Sequence, residues 1–206
     1  TDEASGNTSK ATAGNYFEDF TTGLELDHSV PRTVTEGDAA LYIALTADRY
    51  PLHCDAEFAR SLGFQRETVN DLLVFHTVFG KSVPDLSLNA IANLGYADMR
   101  FGVPVYPGDT LRAKSVVLGR REASRGDSGV VWVQTTGRNQ HGDGVLTFIR
   151  WFLVAKRDPG TPTGADDPPE TPESVPLEGF VVPPELTLST FDPTVTGGRA
   201  WWEDYQ

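Results

Sequence analysis

At 206 residues and 22.4 kDa, the chain can build one sizeable core, or one domain with an extension, since domains usually run to roughly 100 to 200 residues. A formal charge of −12 at pH 7 leaves no clustered cations for a nucleic-acid backbone, and no apolar run approaches the ~20 residues of a membrane-spanning helix. Cys54 is the only cysteine, so an intrachain disulfide is excluded and a reducing cytoplasm is the expected setting. Lysine occurs only at Lys10, Lys81, Lys114 and Lys156, while the acids are dispersed along the chain. Salt screens the self-repulsion of such a surface, so a halophilic cytoplasm is one expectation and an ordinary acidic protein the other.

Residues 1–13 have neither a basic start nor an apolar stretch, and are predicted to be a disordered arm, not a signal peptide. "NYFEDF" is an aromatic entry, and Leu24 to Val34 alternate as an extended stretch. Thr35 before Glu36 and Asp38 predicts a helix start, with Leu41, Tyr42, Ala44 and Leu45 as the buried face. Pro51 interrupts that helix, so "ADRYPLHCD" is expected to be a loop; "DAEFARSLG" then forms a short helix ending at Gly63.

"NDLLVFHTVFGKSVPDLS" predicts a helix capped by Asn70 or Asp71 and ended by Pro84. Leu72, Leu73, Phe75, Val78 and Phe79 are so dense that most of its surface is expected to be buried. From Asn89 the period changes, and four long strands follow, separated by "YPG", "SRGDSG" and "HGDG". The expected class is α+β, a strongly bent antiparallel sheet wrapped around one long helix. This domain is expected to cover residues 14–157, and the Pro- and acid-rich 158–206 to be a linker or an extended arm crossing the surface.

Asp48 and His53 lie five apart with a proline between them, so both side chains can face one point and act as an acid/base pair on a water. Equally, Asp48 can end one helix and His53 cap the next. His76 reads as a core residue, and His28 and His141 as structural or solvated. No metal site is expected, because the adjacent His53, Cys54 and Asp55 cannot all point at one ion. No nucleotide-binding glycine loop is present in the sequence.

"DRYPLHCD" and, after the apolar helix, "PVYPGDTL" resemble the two motifs of the MaoC-like, R-specific enoyl-CoA hydratases, which have the hot-dog fold. "PRTVTEGD", "NDLLVFHTVFGKSVPD" and "NAIANLGYADMRF" resemble the branch of that family that hydrates mesaconyl-CoA to β-methylmalyl-CoA. The resemblance implies a reversible hydro-lyase needing no separate cofactor, coenzyme A being part of the substrate. Asp48 and His53 would hold and polarise the water, and the backbone N–H of Asp71 would receive the thioester oxyanion.

Two positions depart from the family pattern. Tyr50 stands where the motif has asparagine, either reshaping the pocket or packing, and Asp71 stands where the family has glycine. Arg49 and then Arg100 are the candidates for holding a free substrate carboxylate, and Tyr50 and Asn70 are further candidates for binding substrate. Thioester hydrolysis and non-catalytic acyl-CoA binding are the alternative readings. Hot-dog units usually pair, so a homodimer or a second hot-dog unit is the expected partner. "NYFEDF" and "AWWEDY" share one pattern, so the tail resembles the start of a second unit.

Overall fold

The computed structural model describes residues 14–164, 167–176, 182–184, 186–187 and 189–196. The expected N-terminal arm and the "AWWEDYQ" repeat lie outside the described residues. Five strands form one antiparallel sheet in the order β1-β3-β4-β5-β2: β1 Glu25–Thr33, β2 Ala90–Phe101, β3 Thr110–Glu122, β4 Ser128–Arg138 and β5 Gly144–Ala155. Among the described residues four α-helices come before β2: α1 Glu36–Thr46, α2 Pro51–Cys54, α3 Ala56–Ser61 and α4 Asp71–Leu86. The sheet packs against α4 in the hot-dog arrangement.

Two apolar clusters fill the space between helix and sheet. Val74 and Val78 of α4 meet Leu111, Val145, Leu146 and Phe148 at one end. Leu86 meets Phe17, Phe20, Val117, Val131, Val133 and Phe152 at the other. Gly137 lets the helix come close, since a Cβ there would lie 2.6 Å from a Val78 methyl carbon.

Some of the buried polar side chains satisfy one another in a chain. His28 Nδ1 is 2.7 Å from Asp85 and its Nε2 is 2.7 Å from Ser115 Oγ, which in turn lies 2.7 Å from Thr135 Oγ1. His28 is therefore structural, and the network ties β1 to α4, β3 and β4.

Four local expectations are corrected. The "YPLHC" stretch is not a loop: Pro51 occupies the first position of α2, where its missing N–H costs nothing. Pro84 does not end α4, which runs on to Leu86. So near the helix end the proline forfeits a single bond, and Ser87 N–H to Val83 C=O closes the last turn. The apolar face of α1 is not buried, with Leu41 60% and Leu45 77% exposed. Along α4 only one side is buried, leaving Leu72 and His76 exposed. The residue patterns imply covered faces, but Tyr42 meets His76 edge-on and Leu41, Leu45 and Leu72 stay exposed.

Candidate active site

α1 begins with a reciprocal cap, in which Thr35 Oγ1 accepts from Asp38 N–H and Asp38 accepts from Thr35 N–H. It ends at Ala47, whose φ of +52° turns the chain sharply, so Asp48 starts a new direction. Asp48 Oδ1 accepts the Tyr50 N–H at 2.9 Å, an aspartate-stabilised turn that hands the chain to Pro51. One turn of α2 then carries His53 back, placing its Nδ1 2.6 Å from Asp48 Oδ2.

The second half of the site comes from α4. Asn70 caps that helix, its Oδ1 accepting Leu72 N–H at 2.8 Å, while its Nδ2 donates to Asp48 Oδ2 at 2.6 Å and lies 3.3 Å from His53 Nδ1. Main-chain bonds hold this helix start in place: Thr68 N–H to Leu52 C=O at 2.9 Å, and Val69 N–H to Val105 C=O at 2.8 Å. Val105 belongs to the arm ending in the "YPGD" turn. That turn needs Gly108 at φ +104°, and Asp109 fastens it by accepting from Tyr106 N–H and Gln140 Nε2. The second motif therefore serves as the brace for the start of α4.

Burial alone would raise the Asp48 carboxyl, but the Tyr50 N–H, the Asn70 amide and the His53 imidazole together hold it below the usual carboxylate range. With Asp48 ionised, the favoured tautomer of His53 carries its proton on Nδ1, leaving the Nε2 lone pair free.

His53 borders a cavity of about 350 Å³, lined also by Tyr50, Thr68, Asp71, Val74, Met99 and Phe101. The Asp71 N–H, first of α4, has no acceptor among the described residues, as expected for a helix N-terminus, and the helix dipole adds to its pull on negative charge. Although the Asp71 side chain keeps an exposed edge, crowding raises its carboxyl above the usual range, and His53 opposes that shift.

Asp48, His53 and Asn70 are thus brought into contact, with Tyr50 stacked edge-on to His53 at 5.1 Å between ring centres. Arg49 is exposed and does not line the cavity. Arg100 is bonded to Asp98 at 2.7 Å, between Met99 and Phe101 on β2, and does not line the cavity either. Sequence reasoning missed the apolar walls Val74, Met99 and Phe101, which read as ordinary core positions. It also missed that Asn70 serves Asp48, since the two are 22 residues apart. Among the described residues no group of three or more His, Cys, Asp or Glu could hold a metal ion.

Comparison with known proteins agrees with this arrangement. The chain is 50% identical over 196 residues to the mesaconyl-CoA hydratase of Cereibacter sphaeroides, covering 95% of this chain and 57% of that protein. It is 48% identical over 197 residues to the β-methylmalyl-CoA dehydratase of Chloroflexus aurantiacus, covering 96% and 56%. The crystal structure of a MaoC domain protein dehydratase from Chloroflexus aurantiacus superposes with a TM-score of 0.89 at 48% identity, covering 97% of this chain and 57% of that one. The chain spans a little more than half the length of the curated relatives it matches. The family model of the MaoC like domain matches residues 19–139, from the aromatic entry through both motifs to the end of β4, and the chain belongs to that family.

Proposed function

We propose that this chain carries the catalytic unit of a hydro-lyase that adds water reversibly across the double bond of an enoyl-CoA thioester, with mesaconyl-CoA as substrate and β-methylmalyl-CoA as product. The observation that carries the reading is His53, held by Asp48 at 2.6 Å, bordering a cavity that Asp71, the first residue of α4, also lines. Names of the half-matched relatives support the substrate.

In this mechanism His53 Nε2 takes a proton from water as the oxygen bonds to the β-carbon. The electron pair of the double bond moves toward the thioester oxygen, where the Asp71 N–H receives the charge. A preorganised donor of this kind contributes roughly 3 kcal/mol. The proton on Nε2 then passes to the α-carbon and the enolate closes, so water is added with no net change at the protein. Asp48 keeps His53 oriented and stabilises the imidazolium between the two transfers. Arg49, exposed and next to Asp48 and Tyr50 in the chain, is the proposed partner of the substrate's free carboxylate. Loss of the unsaturated thioester's absorbance tests the reading, with Asp48→Asn and His53→Ala as controls. Unchanged rates in both variants would remove the site, and free thiol release without hydration would replace the reaction with hydrolysis.

The proposed partner is a second hot-dog unit. Leu41 and Leu45 on α1, Leu72 on α4, and Ile91, Leu94 and Tyr96 on the edge strand β2 are exposed apolar groups. An edge strand and two helix faces of this kind fit pairing of sheets. A monodisperse single unit in solution would overturn it. The acid-rich, lysine-poor surface supports a salt-rich cytoplasm as the setting, and unfolding that ignores added molar KCl would count against that. None of the described helices is long and apolar enough to cross a membrane.

A further inference from the structure

The described stretches after β5 lie back on the domain. Asp167 exchanges main-chain bonds with Arg120 of β3 at 2.7 and 3.1 Å, beside Gly119, where a Cβ would come within 1.9 Å of the Asp167 carbonyl oxygen. Further on, the chain is fastened to the end of α3. Thr187 N–H donates to Leu62 C=O at 3.0 Å, the Thr190 hydroxyl donates to Ser61 C=O, and the Phe191 ring meets Phe58 edge-on at 6.0 Å. These carbonyls belong to the last turn of a helix and its cap, which have no acceptor duty inside the helix.

Just before these anchors, Pro183 lines two adjoining cavities. One is the 350 Å³ site cavity; the other, of about 590 Å³, is lined by Arg66, Tyr106, Gln140 and His141 among others. Phe64, Val103 and Pro104 also border both, so these four residues frame the junction between them. Pro183 is a stiff wall, because its ring fixes φ and the Leu186 N–H closes a turn onto its carbonyl at 3.1 Å. The inner volume lies at the low end of the roughly 300–1,000 Å³ usual for ligand pockets, so a wall here has direct consequences for acyl size.

We propose that Pro183, clamped by Thr187 and Phe191 on α3, is a specificity-determining wall that confines the site to short acyl groups by narrowing the passage to the outer cavity. The inference rests on the proposed hydration and names the substrate class that the site admits. Loosening the clamp opens the passage, so longer acyl chains gain relative to short ones. Hydrophobic discrimination of this kind is worth tenfold or more per displaced group.

The test compares the full protein with Pro183→Ala and Phe191→Ala, assaying 2-butenoyl-CoA and 2-octenoyl-CoA. The octenoyl to butenoyl ratio of kcat/KM is expected to rise about tenfold or more in both variants. An unchanged ratio in both, with hydration intact, overturns the wall and leaves the reaction standing. Affinities for butyryl-CoA and octanoyl-CoA, measured by calorimetry on the same proteins, decide the wall independently of turnover. Octanoyl-CoA gaining in the variants supports it even if the parent hydrates nothing, a result that removes only the proposed reaction; equal ratios in all three proteins overturn it. Phe191 is itself partly exposed and outside the cavity, and if its variant fails to fold Pro183→Ala carries the decision.

Discussion

The Asp48 carboxylate and the His53 imidazole meet at 2.6 Å, although Pro51 stands between them in the chain. The proline causes the meeting. It starts a helical turn where no N–H is needed, and that turn brings His53 back over the carboxylate that begins it.

Asp48→Asn keeps an acceptor for the Tyr50 N–H but turns an amide toward His53, which favours the wrong tautomer. The hydration rate is expected to fall by about 10² to 10⁴ with the far-UV circular dichroism unchanged. His53→Ala is expected to fall comparably, and the double variant to lose little more, because groups acting as one unit are not additive. Multiplicative losses in the double variant would show two independent roles.

Asn70 holds the helix start and the Asp48 carboxylate with different atoms, so the two roles can be separated. Serine caps about as well as asparagine but does not reach Asp48, whereas alanine does neither. Asn70→Ser is expected to keep the melting temperature near that of the parent and to lose rate. Asn70→Ala is expected to lose rate and about 1 kcal/mol of stability. Equal melting temperatures for the two variants would show that the cap contributes nothing.

The fold was legible where the signal is local. Long β-type runs after Asn89, turn dipeptides and the apolar density of α4 mark a sheet with one helix, and the five-residue spacing of Asp48 and His53 brings them together through a single turn. Long-range roles were not legible. Nothing near Asn70 names Asp48 as its partner, and nothing in "PVYPGD" says that Val105 braces Val69. The α1 pattern predicts a buried face because amphipathicity shows that a face is to be covered, not by what. Leu41 and Leu45 have no cover within the described residues.

Asp71 and Asp48 titrate in opposite directions. Asp48 is held low, so its contribution to stability is present above the ordinary value near 3.8 and is lost as pH falls through its folded value. Asp71 is raised, so its cost to the folded state sets in as pH climbs above the ordinary value near 3.8 and is complete above the folded value. Asp71→Asn is therefore expected to stabilise the protein at pH 7 and to make no difference below pH ~3.8, where the carboxyl is neutral in both states. Melting curves at the two pH values check this, and a variant less stable at pH 7 would show that the carboxylate makes a favourable contact.

Arg150 presents the opposite problem, a cation in the core without a carboxylate. It is 1% exposed, with its guanidinium 4.6 Å from the Phe79 ring centre and 4.9 Å from that of Phe152. Nη2 reaches Ser87 Oγ only at 3.4 Å, and Nε has no partner among the described residues. Burial pushes the group down to about 10, so it remains charged at neutral pH and its desolvation cost is present there, easing only as pH rises past that value. Two aromatic faces offset part of the cost, at roughly 2 kcal/mol for a desolvated contact. Arg150→Met keeps most of the volume and removes the charge, so it is expected to match or exceed the parent by up to about 4 kcal/mol at pH 7. Arg150→Ala leaves a void between the rings and is expected to be strongly destabilised. Chemical denaturation of both variants separates volume from charge: if methionine is as damaging as alanine, the cation itself holds the two aromatic rings in place.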